Sequence, residues 1–434
     1  MTTVADVKLW GVTIGAVSIE DGRDVASFQY DADFIESGVR VAPLMMPPST
    51  AIYTFPSLSR DTFKGLPGML ADALPDRFGT NVINAWLAQQ GRPANSLNVV
   101  ERLCYVGTRG MGALEFLPAR GPDLNHASAL EVEHLVELAS SVLSKRNALH
   151  TSLTDKHEAL LDILRVGTSA GGARAKAVIA WNPVTKRVRS GQVKANKGYE
   201  YWLIKFDGVN GNGDHGAKDP KGFGAIEYAY YRMATDAGIE MSPSQLYEEH
   251  GRRHFMTKRF DRTDDGDKLH MQSLCAMAHF DFNQAGEYSY EQALRVVQAL
   301  DLGMDVVEQL YRRMVFNIVA RNQDDHVKNI GFLMDRNGRW SLAPAFDVVY
   351  AYNPQGMWTS RHQMSVNGAR ENFTIADLDA CARSASIKRS HARDIVHSVV
   401  PVVEQWTRYA DEAGVQPRMR DQIKSVLRTS IVRA

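Results

Sequence analysis

Three residues in the last third of the chain have the types and the order that phosphate chemistry needs. Asp324 and Asn329 stand in the run Asn-Gln-Asp-Asp-His-Val-Lys-Asn, and Asp347 follows in Ala-Pro-Ala-Phe-Asp. Carboxylate and amide oxygens suit a hard octahedral cation that keeps waters and phosphate oxygens as its other ligands. We therefore expect Asn329 and Asp347 to be ligands of Mg²⁺.

The predicted elements around these residues explain how they would meet. Residues 305–322 have apolar positions at helical spacing and predict an amphipathic helix that ends just before the Asp-Asp pair. Residues 329–344 predict a hairpin turned at Asn337-Gly338, because Asn-Gly favours tight two-residue turns. The hairpin would return the chain to the loop and bring Asp347 towards Asn329.

An Asp followed five positions later by an Asn is also the relation found in protein-kinase catalytic loops. There the Asp meets the substrate hydroxyl and the Asn holds Mg²⁺. The alternative is that Asp324, Asp325 and Asn329 are cap and turn residues, since Asp and Asn are common in both roles. The choice between the two depends on the elements upstream.

A Gly-rich turn lies upstream, between a predicted helix and a strand. It contains Gly167, Gly171 and Gly172, and its backbone N–H groups could hold phosphates. It is not a Walker A loop, because Ala173 stands where that motif requires Lys. A tight structural connection is the alternative interpretation.

Lys205 lies inside the apolar strand Tyr-Trp-Leu-Ile-Lys-Phe. Burying an unpaired ammonium group is costly, so Lys205 either reaches solvent at the strand end or meets anions such as the phosphates of ATP. Glu227 begins a helical run and could pair with Lys205, or it could face solvent. The order of Gly-rich turn, strand Lys, helix, Asp/Asn loop, hairpin and Asp is that of a kinase.

Two further places could contact a nucleotide. Residues 256–260 would connect two lobes, and their backbone could bond an adenine edge; Lys258, Arg259 and Phe260 lie there. His326 could orient the loop or contact phosphate, and a hydrogen-bonded structural role is the alternative.

The composition excludes several classes of protein. Fifty Lys and Arg balance fifty Asp and Glu, so no overall charge draws the chain to nucleic acid or to an acidic membrane. No apolar run approaches the roughly 18 residues that span a bilayer, and we expect a cytoplasmic protein without membrane contact. Cys104, Cys275 and Cys381 are far apart and predict three packed thiols.

The pattern of the chain predicts more than one structural unit. Residues 4–30 alternate around Glu20-Asp21-Gly22 and predict two strands with a tight turn. Residues 119–130 are rich in Gly, Pro and Asn and form the best linker candidate, with a boundary near residue 120. From residue 220 onward the pattern is mostly helical, and the last helix is basic.

Taken together, these motifs resemble the HipA family of bacterial serine/threonine kinase toxins over nearly the whole chain. The matching segments are VGTSAGGARAK, WLIKF, TKRFDR, QDDHVKNIGF and LAPAFDVV, with FKGLPGMLADALPDRFG and GTRGMGALEF in the N-terminal part. The resemblance implies an α+β fold: a protein-kinase-like bilobal core with a mostly helical C-lobe and a β-rich N-terminal subdomain. We assign residues 1–120 to the N-terminal subdomain, 121–258 to the kinase N-lobe and 259–434 to the C-lobe.

The resemblance also implies roles for individual residues. Asp324 would be the catalytic base, Asn329 and Asp347 the Mg²⁺ ligands, and Lys205 the contact to ATP phosphates. Ser169 would be the residue that autophosphorylates and silences the kinase, with Thr168 beside it as a rival. The remaining nucleotide contacts would be Gly171, Gly172, Ala173, Lys258, Phe260, Gln272 and His326.

Partners and substrate follow from the same resemblance. A HipB-like antitoxin with a helix-turn-helix fold would bind the protein and supply most of the contact with DNA. The phosphorylated target would be a cytoplasmic protein, for which the family suggests an aminoacyl-tRNA synthetase such as the glutamyl enzyme. This chain departs from the better-known pattern at Arg174 and Ala175 before Lys176, and at Asp325 where Gly is frequent, so the substrate does not transfer directly.

Two other functions are compatible with the sequence. A small-molecule or lipid kinase could carry the same Asp-x-His-x-x-Asn loop, although the N-terminal subdomain and Ser169 argue against it. A degenerate kinase could act as a scaffold that binds an antitoxin on operator DNA. The intact set of Lys205, Asp324, Asn329 and Asp347 argues against a scaffold.

Overall fold

The fold is described from a computed structural model of the chain. The structure describes residues 2–433 except 95, 121, 123–129, 144–160, 165, 168–173, 193, 196, 210–212, 215–216 and 219–220. Strands and helices are numbered separately in chain order.

An antiparallel sheet forms the N-terminal part. Its strands are β1 (Thr2–Leu9), β2 (Val12–Glu20), β3 (Ser27–Tyr30), β4 (Ile52–Tyr53) and β5 (Leu114–Leu117). Their spatial order is β4-β3-β2-β1-β5. We predicted two strands over 4–30, and this was incomplete, because the chain also turns at Trp10 and Gly11, both with positive φ. Gly11 was the sequence signal for that turn.

A second antiparallel sheet carries the predicted lysine strand. It consists of β6 (Lys176–Trp181), β7 (Val188–Ser190), β8 (Glu200–Lys205), β11 (Ser244–Glu249) and β12 (Arg252–Lys258), in the order β11-β12-β8-β6-β7. A separate short pair is formed by β9 (Gly213–Asp214) and β10 (Ala217–Lys218). The strands predicted from AVIAW, WLIKF and FMTK are confirmed. Lys176 on β6 lies directly opposite Lys205 on β8.

Helices dominate the second half of the chain, as predicted. Before the second sheet come α1 (Ala32–Glu36), α2 (Arg60–Phe63), α3 (Gly68–Ala71), α4 (Arg77–Gln89), α5 (Val99–Val106) and α6 (Val132–Leu143). Helix α7 (Phe223–Asp236) packs on β11 and β12. The remaining helices are α8 (Leu274–Ala278), α9 (Tyr290–Ala299), α10 (Met304–Val319), α11 (Ile375–Ser384), α12 (Arg389–Glu404), α13 (Trp406–Ala413) and α14 (Pro417–Val426).

The predicted hairpin after the Asp/Asn loop is present. It consists of β14 (Gly331–Met334) and β15 (Trp340–Leu342), and β13 (His270–Ser273) pairs with its other side. The turn lies at Asn337-Gly338, where the side chain of Asp335 accepts from the backbone of Asn337 and Arg339. The amphipathic helix predicted for 305–322 is α10, and it ends three residues earlier than expected.

The N-terminal part contacts both halves of the remaining structure. Helix α4 buries Phe78, Val82 and Trp86 in the same hydrophobic core as Ile179 of β6 and Ile204 of β8. On the other side, α2 and α3 pack against the helical half, where the backbone N–H of Gly68 donates to His279 Nε2 at 3.0 Å. The proposed boundary near residue 120 stays a prediction, and one hydrophobic core spans it.

Two further predictions concern the thiols and the membrane. All three cysteines are buried and free, as expected from their spacing. None of the helices in the described part of the chain is both long enough and apolar enough to cross a membrane.

Candidate active site

The Asp/Asn loop is fixed where helix α10 ends. The chain turns at Arg321, whose φ of 57° lies in the left-handed region. Its guanidinium donates to the carbonyl of Val426 at 2.7 Å and to the side chain of Gln323 at 2.9 Å. Further along, the side-chain nitrogen of Asn329 donates to the backbone carbonyl of Asp324 at 2.9 Å. Because this bond uses the amide nitrogen, the side-chain oxygen of Asn329 is the group left for a cation.

Asp325 supports the loop from inside the protein. Its carboxylate is fully buried and accepts from the hydroxyl of Tyr290 (2.9 Å) and the backbone of Gln363 (2.8 Å), and it pairs with His362 Nδ1 at 2.8 Å. Burial disfavours the charged form, but His362 and these hydrogen bonds outweigh it and hold the pKa of Asp325 below its ordinary value. The acid at this position, which departs from the family pattern, therefore joins α9 and the 362–363 segment to the loop.

Lys205 lies between two carboxylates. Its Nζ donates to Glu227 Oε1 at 2.5 Å and to Asp347 Oδ1. Glu227, on α7, is 2% exposed, so the pairing alternative that we considered for it is correct and the solvent-facing one is wrong. The sheet, the helix and the segment after the hairpin thus meet at one ammonium group.

The charges in this cluster stabilise one another against the cost of burial. Burial lowers the pKa of Lys205, but Asp347 and Glu227 outweigh it and raise that pKa above its ordinary value. For Asp347, burial opposes ionisation, yet Lys205 and then Lys176 lower the pKa to about 2. Burial is the largest influence on Glu227 and raises its pKa. Lys205 and Asp347 are therefore charged at neutral pH.

Asp347 occupies a special backbone conformation next to the loop. Its φ of 53° lies in the left-handed region, which a non-glycine residue adopts at an energetic cost. A small cavity is lined by Asp347, Asn329 and His326, so the structure brings the two predicted metal ligands to one space. In the described residues, no group of three or more His, Cys, Asp or Glu side chains could hold a metal ion. A cation bound by Asn329 and Asp347 would need water and phosphate oxygens to complete its shell.

A second lysine near the cluster was not assigned a role from the sequence. Lys176 is 2% exposed, and its Nζ lies 3.3 Å from Oδ2 of Asp76. Asp76 caps α4, because its other oxygen accepts from the backbone N–H of Gly79 at 2.8 Å. Leu-Pro-Asp before a helix signals the cap, but no local pattern could reveal a partner a hundred residues away.

The lobe connection has well-defined contacts. Lys258 Nζ is bonded to Asp264 at 2.7 Å, towards solvent, and the ring of Phe260 lies 5.6 Å from that of Phe346. Arg259 is buried and donates to both carboxylate oxygens of Asp261. Phe260 is thereby placed next to the residue that precedes Asp347, whereas the side chain of Lys258 is directed elsewhere.

The other predicted nucleotide contacts fall in three classes. Gln272 is fully buried, and its amide is bonded to the carbonyl of Val41 in the N-terminal part and to His270 on its own strand, so these hydrogen bonds are made away from the lysine cluster. His326 lies in the loop, with Nε2 3.9 Å from Asp324 Oδ1. Thr168, Ser169, Gly171, Gly172 and Ala173 lie outside the described residues. All of these roles stay predictions.

Trp358 is a contact of the site that the sequence did not suggest. Its indole N–H donates to Asp324 Oδ1 at 2.6 Å. The residue lies in Asn-Pro-Gln-Gly-Met-Trp, a stretch with turn signals that carries no motif. A large aromatic residue in such a stretch was the only hint.

Two family models match this chain. The model of the HipA N-terminal domain matches residues 5–117, and the model of the HipA-like C-terminal domain matches residues 168–407. The second match alone covers more than half of the chain, and it contains the lysine strand, the Asp/Asn loop and Asp347.

Two curated proteins are similar over part of their length. The "Putative kinase" of Haemophilus influenzae is 25% identical over 161 residues, which are 33% of this chain and 47% of that protein. The "Putative kinase Y4mE" of Sinorhizobium fredii is 24% identical over 207 residues, 45% of this chain and 42% of that protein. The chain thus spans about half the length of the curated relatives it matches.

A solved structure shares the fold over nearly the whole length. It is HipA of the Shewanella oneidensis MR-1 toxin–antitoxin system, in a complex with HipB and its operator DNA. The TM-score is 0.68 at 15% identity, and the match covers 98% of this chain and 96% of that one. The predicted fold class, a protein-kinase-like mixture of helices and sheets, is confirmed.

Proposed function

The chain belongs to the HipA family, and from this premise we propose that it is an ATP- and Mg²⁺-dependent serine/threonine protein kinase that acts as the toxin of a toxin–antitoxin pair. The observation that carries the proposal is the pairing of Lys205 with Glu227 and Asp347 beside the loop of Asp324 and Asn329. Kinase chemistry needs these groups to converge.

The charges of the site suit a nucleotide with its metal ion. Lys205 and Asp347 neutralise each other in the structure. With Mg²⁺–ATP bound, the ammonium group of Lys205 would pair with the phosphates and the carboxylate of Asp347 would bind the cation. Asn329 would be the second metal ligand from the protein. When bound, Mg²⁺ supplies neutralisation of phosphate charge. Glu227 would keep the ammonium group of Lys205 in place, because its carboxylate is buried and has that group as a partner.

Asp324 would act on the substrate hydroxyl. The hydroxyl oxygen forms a bond to the γ-phosphorus of ATP while the bond from that phosphorus to the leaving oxygen of ADP breaks. The hydroxyl proton goes to the carboxylate of Asp324. Most of the acceleration would come from position and charge, because phosphoryl transfer asks little covalent chemistry of the protein.

We also propose self-inactivation at Ser169, with Thr168 as the neighbouring candidate. A phosphate on this Gly-rich turn would compete with the nucleotide phosphates for the same backbone N–H groups. Phosphorylation would therefore exclude ATP.

The proposed partner is a HipB-like antitoxin that carries most of the DNA contact. The solved relative was captured with HipB and operator DNA, and this chain has no net charge of its own to bind DNA. The proposed target is a cytoplasmic protein, with aminoacyl-tRNA synthetases as the first candidates to screen.

Intact-mass measurement and phosphopeptide mapping after incubation with Mg²⁺ and ATP test the proposal. The parent should gain phosphate at Ser169 or Thr168, and Asp324→Asn should gain none while its thermal unfolding midpoint falls by no more than a few degrees. Asp265→Asn, a change of an exposed acid outside the site, is the matched control and should behave as the parent. Transfer that persists in Asp324→Asn would remove this residue from the role of base, and a parent that binds no nucleotide would favour the scaffold.

A further inference from the structure

The indole of Trp358 holds one oxygen of the Asp324 carboxylate. The distance from Nε1 to Oδ1 is 2.6 Å, whereas His326 Nε2 lies 3.9 Å from the same oxygen, beyond hydrogen-bond distance. Trp358 is half-buried, and its neighbour Met357 is fully exposed. The tryptophan is therefore fixed at the edge of the site and does not belong to the hydrophobic core.

The backbone around Trp358 is attached to the loop that it contacts. Gln363 Nε2 donates to the carbonyl of Trp358 at 2.5 Å, and the backbone N–H of Gln363 donates to Asp325 at 2.8 Å. Gln323 Nε2 donates to the carbonyl of Thr359 at 3.3 Å. Both residues that flank Asp324 in sequence thus hold the segment that carries the indole. Loop and segment form one unit.

A carboxylate that is to accept a proton from a hydroxyl must present an oxygen in one direction. The bond from Asn329 fixes the backbone of Asp324, and the indole fixes Oδ1 of its side chain. With Oδ1 engaged by the indole, Oδ2 is the other oxygen of the carboxylate and the candidate acceptor of the substrate proton. A neutral donor achieves this without adding a positive charge beside the carboxylate, which would attract the nucleotide phosphates.

We propose that Trp358 is a positioning residue for phosphoryl transfer, which orients Asp324 so that its Oδ2 accepts the proton of the substrate hydroxyl. The inference rests on the proposed function, since it concerns the proposed base. Trp358 contributes through the direction of one hydrogen bond and takes no part in binding ATP. Losing the bond should slow the chemical step and leave nucleotide affinity unchanged.

The test compares Trp358→Phe with Trp340→Phe. The first change keeps an aromatic ring and removes the indole N–H. Trp340 is the matched control, because its indole donates to the carbonyl of Arg40 at 3.1 Å, away from Asp324. For Trp358→Phe we expect kcat to fall about tenfold to hundredfold with the KM for ATP unchanged, the usual scale for a misplaced catalytic group. For Trp340→Phe we expect the kcat of the parent.

A spectroscopic measurement examines the contact without any need for activity. In a ¹H–¹⁵N spectrum of the full chain, the indole N–H signal of Trp358 is assigned as the one that Trp358→Phe removes. We expect that signal to move in Asp324→Asn, because the charged acceptor of its hydrogen bond becomes neutral. The Trp340 signal should stay where it is.

The outcomes separate the inference from the proposed function. An active parent with an unchanged kcat in Trp358→Phe overturns the inference and leaves the kinase assignment standing. A rise in the KM for ATP with kcat preserved also overturns it, because Trp358 would then serve nucleotide binding. A parent that transfers no phosphate overturns the proposed function and the inference with it. An indole signal unaffected by Asp324→Asn overturns the contact itself.

Discussion

The two sides of the proposed site are held by different forces. On one side, Lys205, Glu227 and Asp347 are fixed by opposite charges in a desolvated place. On the other, Asp324 is held by neutral donors, the amide of Asn329 and the indole of Trp358. Removing a member of the first group leaves a buried charge unpaired, whereas removing a donor of the second leaves a displaced but solvated carboxylate. Stability should report on the first side and reaction rate on the second.

The largest effect is expected for Lys205→Met. The variant leaves Glu227, which is 2% exposed, without its cation, and we expect the free energy of unfolding to fall by about 3–5 kcal/mol. Urea unfolding of the parent and the variant measures this, and nucleotide binding should be lost as well. The double variant Lys205→Met/Glu227→Leu removes both charges and should recover much of the stability without recovering binding. If Lys205→Met were as stable as the parent, the charges of Lys205, Glu227 and Asp347 would not be what holds this side of the site together.

On the loop side, substitutions of two neighbouring acids should differ in their main effect, that of Asp325 on stability and that of Asp324 on phosphoryl transfer. Asp325→Asn removes the charge that pairs with buried His362, and we expect a loss of about 2–3 kcal/mol of unfolding free energy. Asp324→Asn should cost about 1 kcal/mol or less, because its carboxylate is partly exposed and, among the described residues, has one side-chain hydrogen-bond donor. Urea unfolding and phosphoryl transfer of both variants give the comparison. Equal losses of stability would contradict the assignment of a structural role to Asp325 and a catalytic role to Asp324.

Asp76→Asn tests whether the N-terminal part contributes to the charged side. Asn caps helices as well as Asp does, so the cap of α4 should survive while the ion pair with Lys176 is lost. We expect a decrease of about 1.5 kcal/mol in unfolding free energy, the scale of a hydrogen bond to a charged group. The affinity for ATP should change as well, because Lys176 also acts on Asp347. Asp72→Asn is the control, since Asp72 also lies in the N-terminal part but binds Ser273.

The local parts of this architecture could be predicted from the sequence, and the contacts between distant segments could not. The helix before Asp324, the turn at Asn337-Gly338 and the strand of Lys205 each have a pattern within a few residues. The order of the motifs then indicated a kinase, with Lys205 at the phosphates of ATP and Asp347 close to Asn329, whereas the direct contact of Lys205 with Asp347 was not predicted. Asp325, by contrast, was seen as a departure from a family pattern, although its buried partners make it the support of the loop.

No local pattern predicts the partners of Asp76 and Trp358, although a cap signal marks Asp76 and a turn-rich stretch surrounds Trp358. Asp76 meets Lys176, and Trp358 meets Asp324, across long stretches of chain whose folding is set by hydrophobic cores. A spacing rule describes side chains on one element, and neither pair shares an element. Gln272 illustrates the opposite problem, since motif similarity suggested a nucleotide contact while its side chain is bonded to Val41 in the N-terminal part and to His270 on its own strand.

A decrease in pH should weaken a third part of the molecule, the contact between α3 and the helical half. Burial lowers the pKa of His279 to about 4, and its neutral ring accepts from Gly68. A histidine with a depressed pKa contributes stability that is full above its ordinary pKa near 6.5 and is lost as pH falls towards 4. We expect His279 to account for a decrease of about 1 kcal/mol between pH 7.5 and 5.5, measured by urea unfolding. The pKa of Asp347 is about 2, so the pair of Lys205 and Asp347 should keep its charges over this range. His279→Gln should reduce the slope by this amount, since burial lowers the pKa of His254 and His270 to about 4 as well, and an unchanged slope would show that His279 does not contribute.

The smallest effect is expected for Lys258→Ala, in the connection between the lobes. Lys258 was proposed as a nucleotide contact, yet its ammonium group is bonded to Asp264, which is 87% exposed, and such surface pairs contribute little. If the connection contacts adenine through its backbone, as its place after β12 suggests, the affinity for ATP should change by less than about fivefold. Titration of both proteins with ATP measures it, and Phe260→Ala is the informative companion because the Phe260 ring lies against Phe346. A large loss in Lys258→Ala would mean that its side chain leaves Asp264 for the nucleotide. The nucleotide site would then include a charged contact from the connection between the lobes, in addition to Lys205.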